Sequence, residues 1–349
     1  MKLFKTINAM APIRINDLGG WTDTWFAERG KVLNFAVYPW VEVQIRVFAN
    51  LENKKERVVI HQENYHETFA INPEEPSTSR NPMIEAAFAM IKIPQELFLE
   101  VTVYSGVPAG ASTGTSAAVS VCMLGALCHL TEKKMSPYEI AYLAHRLETE
   151  MLKLQSGIQD QLSSALGGIN YIDMYQYPRA HISPVVLPDS ISLELENRLV
   201  LVFLGQGHVS SELHKKVIEN LEEIGPDNPL LARLKKLVDK GKESLVWGDL
   251  ETFGRVMSEN TEIQRELHPE LVSEKADEII QIAGEFKALG WKVNGAGGNG
   301  GSMTILVGSE RTLKREMILE IEKQHPDVRH IPVLLSTKGL TVWELPGES

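Results

Sequence analysis

The chain has 349 residues, 43% apolar and 23% charged, ordinary globular values that allow a sizeable core and favour two domains over one. Its formal charge is −11 at pH 7, and no Lys/Arg block is interleaved with aromatics, which argues against nucleic acid or an anionic membrane as a partner. The only cysteines, Cys122 and Cys128, sit six residues apart in one apolar helix pattern and point in different directions, so they are expected to be reduced core residues. The first eight residues lack the apolar run of a signal peptide, and the longest small-apolar run, Ala117 to Cys128, is too short to cross a bilayer. A soluble, cytoplasmic protein is expected.

In chain order, Ala11 to Thr24 predicts a short strand followed by a Gly-Gly turn carrying Thr22 and Asp23. Arg14, between two isoleucines, faces away from the apolar side of its strand or lies in a polar cleft. Asp23 serves either as a turn or cap residue or as part of a site. Val32 to Phe48 alternates strongly from Val41, as does Arg57 to His61, predicting an antiparallel, half-exposed sheet. Asn64 to Arg80 is polar and is expected to be loop. Asn81-Pro82 opens a helix through Met90.

Leu97 to Tyr104 has the composition of a strand and runs into Pro108-Ala109-Gly110-Ala111-Ser112-Thr113-Gly114-Thr115-Ser116, which leads into an apolar helix. Glycines admit close backbone approach, hydroxyls donate, and the free N–H groups of a helix start carry partial positive charge, so this loop is a place for phosphate. Taken alone, such a cluster also marks turns and caps, and no Gly-Lys-Ser/Thr ends it as in a Walker A loop. Ser136-Pro137-Tyr138-Glu139 is a capping box that starts a helix with Leu143, Leu147 and Met151 on one stripe. Glu148 lies beside that stripe, as a solvated glutamate or as a site residue. After Ser156-Gly157 a short helix carries Asp160 near its N-terminus, where a negative charge is favoured as a dipole partner alone, and stops at Gly167-Gly168 before the strand Ile169 to Asp173.

Tyr175 to Pro184 is expected to link the domains, which are placed at 1–185 and 186–349. Ile191 to Glu196 and Arg198 to Leu204 predict a hairpin around Glu196-Asn197. Gly205 to Ser211 then leads into a helix, two amphipathic helices cover about Asn228 to Ser258 and Ser273 to Leu289, and Asn294-Gly295-Ala296-Gly297-Gly298-Asn299-Gly300-Gly301 precedes the strand Ser302 to Val307. A helix from Glu310 to His325 and a strand from Leu340 to Leu345 finish the chain. The second half thus alternates strands and helices in the manner of a β-α-β sandwich.

The early Pro12-Ile13-Arg14 strand with Gly19-Gly20-Trp21-Thr22-Asp23, the Pro108 to Ser116 loop and the late Gly295-Ala296-Gly297-Gly298 loop resemble, in this order, the three motifs of the GHMP small-molecule kinases. Within that family, Ala11 to Arg14, Gly19 to Thr24, and Gly157-Ile158-Gln159-Asp160-Gln161 with Leu166 to Asn170 are most similar to the heptose 7-phosphate kinases and the kinase part of L-fucokinases. The resemblance implies an α+β, two-domain GHMP kinase fold, with an N-terminal domain like ribosomal protein S5 domain 2 and a ferredoxin-like C-terminal domain. It implies ATP and Mg²⁺ as cofactors and a sugar or sugar phosphate as acceptor. Residues Pro108, Gly110, Ala111, Ser112, Thr113, Gly114, Thr115 and Ser116 would wrap the triphosphate, and Ser116 and Glu148 would place Mg²⁺. Asp160 would take the hydroxyl proton, with Arg14 beside it favouring the carboxylate form. Gly20, Thr22, Asp23, Gly297 and Gly298 would complete the acceptor site.

The same resemblance leaves Arg29 and Lys31 either to meet a sugar phosphate or to form a solvated pair, and puts His208 where several relatives carry arginine near the substrate. It implies phosphorylation at the anomeric hydroxyl of a heptose 7-phosphate or a fucose-like sugar. The alternatives are galactose, a uronic acid or a mevalonate-type alcohol as acceptor, or a catalytically silent sugar sensor on the same fold.

Overall fold

The computed structural model describes residues 2–51, 54–75, 80–207 and 212–347. His208 lies outside them. The first half holds β1 (Leu3–Leu18), β2 (Gly30–Ala49), β3 (Val58–Gln62), β4 (Glu67–Ile71), α1 (Pro82–Met90), β5 (Leu97–Ser105), α2 (Thr115–Leu130), α3 (Pro137–Arg146), α4 (Gln159–Leu166), β6 (Ile169–Gln176) and β7 (Arg179–Pro184). The second holds α5 (Asp189–Arg198), β8 (Leu199–Phe203), α6 (Glu212–Ile224), α7 (Pro229–Trp247), α8 (Leu250–Leu267), α9 (Glu274–Glu285), β9 (Gly290–Val293), β10 (Ser302–Leu306), α10 (Arg311–Gln324), β11 (Arg329–Ile331), β12 (Leu334–Leu335) and β13 (Thr341–Pro346).

The large sheet runs β13-β1-β2-β5-β3-β4, with β12 and β6 also on β2 and β7 on β6. It is antiparallel except for the parallel β3–β5 pair. On β2 the alternation from Val41 is literal: Val41, Val43, Ile45 and Val47 are buried while Glu42, Gln44 and Arg46 face solvent. That apolar face is covered by α2, whose near-continuous burial leaves Cys122 and Cys128 as free thiols in the core.

The small antiparallel sheet runs β11-β8-β10-β9. Every residue of β8 is buried because both faces are covered: Leu199, Leu201 and Phe203 join the main core, and Val200 and Val202 join a second core with α9 and α10.

Several expectations are corrected. The stretch Asn64 to Arg80 is not all loop, since Glu67–Ile71 forms β4 against β3. Tyr175 to Pro184 is not a linker, because β6 and β7 pair across it.

The predicted hairpin before Leu204 is instead α5 leading straight into β8. There the period-two spacing of Ile191, Leu193 and Leu195 misleads, because only Leu195 is fully buried while Leu193 is exposed. The single helix expected over Asn228 to Ser258 is two. Gly248 adopts φ +71° and closes α7, and Asp249 caps α8 by accepting from Thr252 N at 2.9 Å. At the end of the chain β12 and β13 return to the large sheet, β13 pairing with β1 from Met10–Thr341 to Lys5–Pro346.

Candidate active site

The organising strand is β1, which passes from the large sheet into a crossing of both sheets. From Ala11 to Leu18 it is buried throughout, so its charged residues need partners inside the protein, while the side chain of Asn16 is buried with neither polar atom hydrogen-bonded. Arg14 meets that demand. Its Nε and Nη2 donate to the two carboxylate oxygens of Asp160 at 2.7 and 3.0 Å, and its Nη1 donates to Ser112 O. This is the two-pronged geometry that suits guanidinium and carboxylate. Burial works against the Arg14 cation, but Asp160, Asp17 and Asp23 outweigh it and raise its pKa.

The hydroxyl-glycine loop lies directly on this pair. Arg14 N donates to Thr113 O at 2.9 Å, tying loop to strand. Gly114 is the cap of α2, with φ +69° and no capping side chain, so the first-turn N–H groups have no side-chain acceptor. A methyl group on Gly114 would stand 3.2 Å from Arg14 Cγ and 3.2 Å from Asp160 Cγ. Gly114→Ala is therefore expected to destabilise by about 1–3 kcal/mol and lower the melting temperature, through an unfavourable φ and a displaced pair.

Two cavities open onto Arg14 and Asp160. The larger, about 1010 Å³, is lined by the loop from Ala109 to Ser116, by Glu148 and by the cations Lys153 and Lys215. The smaller, about 170 Å³, is walled by Asp17, Asp23, Trp21, Trp25 and Gln159. Gly295 and Ala296 border both.

Glu148 reaches the larger cavity because α3 ends at Arg146 and the backbone makes a π-helical turn, Leu147–Met151, closed by Leu152 N to Leu147 O at 3.1 Å. The extra residue rotates Glu148 inward, a common use of such turns. Ser156 Oγ donates to Glu148 Oε2 at 2.8 Å, and Oε1 is buried without a hydrogen bond. Burial pushes the Glu148 carboxyl up to about 7, with Asp160 adding to it and the Ser156 and Gln161 hydrogen bonds opposing. Ser116, the second residue of α2, is exposed on the same cavity. A buried, incompletely bonded carboxylate oxygen beside a hydroxyl and a place for phosphate suits Mg²⁺, which uses one or two protein oxygens together with phosphate and water.

Asp23 is on the wall of the smaller cavity, where Gln159 N donates to its Oδ2 at 3.0 Å. Burial pushes its carboxyl up to about 6; the Gln159 hydrogen bond opposes this, while Asp160 and Asp17 add to it. A carboxyl raised from 3.8 to about 6 stabilises the fold fully below its unfolded pKa, and that contribution is lost as pH rises through 6. In ligand-free protein, Asp23→Asn is expected to flatten the fall of melting temperature between pH 4 and 6.5; an unchanged slope would reject this account.

Other expected site residues sit elsewhere. Thr22 is fully buried, its hydroxyl bonded to Gly19 O and Lys31 O at 2.7 and 2.8 Å, and neither it nor Gly20 lines a cavity. Pro108 is likewise off both walls. Gly297 and Gly298 pack on the segment before α9: Gly298 N donates to Leu271 O at 2.9 Å, and a Cβ on Gly297 would collide with the same carbonyl. They hold the loop from behind while Gly295 and Ala296 face the cleft.

Sequence reasoning missed Asp17 and Lys292. Lys292 is fully buried on β9, with Nζ 3.3 Å from Asp17 Oδ1, and Gly295 N donates to the same carboxylate at 3.0 Å. Two ionisable residues, Arg14 and Asp17, within the largely apolar stretch Ala11 to Leu18 were the available signal.

Residues 83–168 match the GHMP kinases N-terminal domain and residues 234–325 the GHMP kinases C-terminal domain. The chain belongs to the GHMP kinase family. It is 28% identical over 331 residues to a bifunctional fucokinase/GDP-fucose pyrophosphorylase of Arabidopsis thaliana, covering 88% of this chain and 30% of that protein. It is 27% identical to a D-glycero-alpha-D-manno-heptose 7-phosphate kinase of Campylobacter jejuni, over 69% of this chain and 70% of that one. The chain thus spans less than a third of the plant protein's length. Among solved structures, a D-glycero-D-manno-heptose 1-phosphate kinase of Bacteroides thetaiotaomicron superposes with TM-score 0.74 at 22% identity, over 97% of this chain and 99% of that chain, a likeness of fold. The two-domain GHMP kinase fold is thereby established, with mixed α and β content.

Proposed function

We propose that the protein is an ATP- and Mg²⁺-dependent sugar kinase that phosphorylates the anomeric hydroxyl of a fucose- or heptose-type sugar. The observation that carries this reading is the Arg14–Asp160 pair at the junction of the two cavities, with Asp160 26% exposed and thus open to an acceptor. In this reading the larger cavity takes the nucleotide, its triphosphate against the first turn of α2 and the Ala109 to Ser116 backbone. The smaller takes the acceptor, its hydroxyls against Asp23 and the indoles of Trp21 and Trp25. Ser116 and Glu148 would hold Mg²⁺, which when bound neutralises charge on the phosphate oxygens.

Phosphoryl transfer asks for in-line placement more than covalent help. Asp160 accepts the proton of the attacking hydroxyl. The sugar oxygen bonds to the γ-phosphorus as the bond from that phosphorus to the β,γ-bridging oxygen breaks, and ADP leaves with that electron pair. Arg14 holds the Asp160 carboxylate in one orientation, and its bond to Ser112 O ties that orientation to the phosphate loop. The domains would divide at about 185, with 334–346 returning to the first sheet.

The test is ADP release from Mg-ATP with L-fucose, D-glycero-D-manno-heptose, its 7-phosphate, galactose and mevalonate, the phosphorylated position located by phosphorus NMR. Turnover at C1 of a sugar supports the reading. Turnover of mevalonate alone, or none at all, rejects it.

A further inference from the structure

We propose that the acceptor is a neutral sugar, and that the smaller cavity rejects acceptors carrying a phosphate or carboxylate. This rests on the kinase reading above and deepens it.

The two cavities differ in their cations. Lys153 and Lys215 line the larger one, beside the carboxylates of Glu148, Asp160, Glu219 and Glu222, and are there for a triphosphate to meet. Among the described residues, Arg14 is the one lysine or arginine that lines the smaller, and its charge is already paired: Nε and Nη2 donate to Asp160 and Nη1 to Ser112 O. The other buried cation nearby, Lys292, faces Asp17 and Val293 O behind the wall. That leaves Asp23. It is 3% exposed, it accepts from Gln159 at 3.0 and 3.4 Å, and among the described residues no cation lies within ion-pair distance of it, Arg14 acting on it from farther away. Glu222 of α6, on the wall of the larger cavity, is bonded to the indole N–H of Trp25, which walls the smaller.

The two cations that the sequence offered for a sugar phosphate are turned elsewhere. Lys31 Nζ lies 2.7 Å from Asp239 and over the Tyr171 ring, and Arg29 is exposed and lines neither cavity.

A neutral hydroxyl donates to Asp23 and leaves every existing pair intact. An anionic group brought against the same carboxylate finds, among the described residues, no lysine or arginine on that wall except Arg14, already paired with Asp160, and both charges lose solvent. Repulsion of this kind is how a site selects against a rival substrate. Like-charge juxtaposition in a desolvated interface costs enough to lower kcat/KM by at least about tenfold.

The experiment uses the whole wild-type chain with Mg-ATP and two matched pairs: D-glycero-D-manno-heptose against its 7-phosphate, and glucose against glucuronate. In any pair that is turned over, the neutral member is expected to have the larger kcat/KM by about tenfold or more. Equal or better use of the charged member overturns the inference and leaves the kinase reading standing. Should no member of either pair be turned over, quenching of tryptophan fluorescence gives the affinities directly, since Trp21 and Trp25 line the cavity. Tighter binding of the neutral members then supports the inference, and equal affinities, tighter binding of the charged ones or no binding overturns it. Silence in both assays with active controls, extended to the sugars named for the kinase reading, removes that reading as well.

Discussion

Asp160→Asn is expected to lower kcat about 10²- to 10⁴-fold, the usual contribution of a positioned base, while the affinities for ATP and sugar stay within a few-fold. The reasoning is local. An asparagine side chain keeps the shape and still accepts one hydrogen bond from Arg14, but it cannot take the hydroxyl proton. Arg14 is 4% exposed and would be costly to leave alone, yet Asp17 and Asp23 also face it, and its bond to Ser112 O does not involve Asp160. The variant should therefore fold, with a melting temperature a few degrees below wild type. Single-turnover kinetics would separate chemistry from product release. A kcat within tenfold of wild type would remove Asp160 from the role of base and leave it as the positioner of Arg14.

The parts of this site that sequence disclosed were those whose signal is local. Glycines and hydroxyls before an apolar helix, a Gly-Gly turn with Asp23, and a double-glycine stop after Asp160 all report what a short stretch of backbone must do. What those residues meet is set by the fold. Thr22 and Asp23 are adjacent in sequence, yet Thr22 points back into its own turn and Asp23 toward Gln159, 136 positions away. Glu148 was found through the family resemblance and not through periodicity, which places it beside the apolar stripe; a π-helical turn swings it into the cavity. At the level of the fold the same rule holds. The β2 alternation was legible because one face is wet, whereas α5 was misread because its three alternating apolar residues bury only Leu195.

The Asp17–Lys292 pair illustrates the limit most clearly, and it carries the second large effect. The two residues are 275 positions apart, and a lysine between Trp291 and Val293 ordinarily marks the wet face of a strand. Here β9 contacts β1, and the lysine is fully buried against a carboxylate that is 1% exposed. Burial favours loss of its proton, and Asp17 opposes that. Lys292→Met keeps much of the volume but leaves Asp17 as a buried charge without its partner, and loss of one member of such a pair costs about 3–5 kcal/mol.

The urea midpoint should fall accordingly with an unchanged m-value. A loss below about 1 kcal/mol would show that Arg14 and the Gly295 amide already satisfy Asp17. The double variant Asp17→Asn/Lys292→Met separates stability from geometry. With both charges gone the desolvation penalty disappears, so much of the stability should return, and the coupling energy from the double-mutant cycle should be large and favourable.

Activity should not recover in step. Gly295 N donates to both Asp17 oxygens, at 3.0 and 3.2 Å, and Gly295 borders both cavities beside Ser112 and Arg14. An asparagine offers that amide a weaker, single acceptor, so the third glycine loop should close less well over the cleft and the acceptor KM should stay raised. Recovery of both stability and KM would mean that the pair serves folding alone.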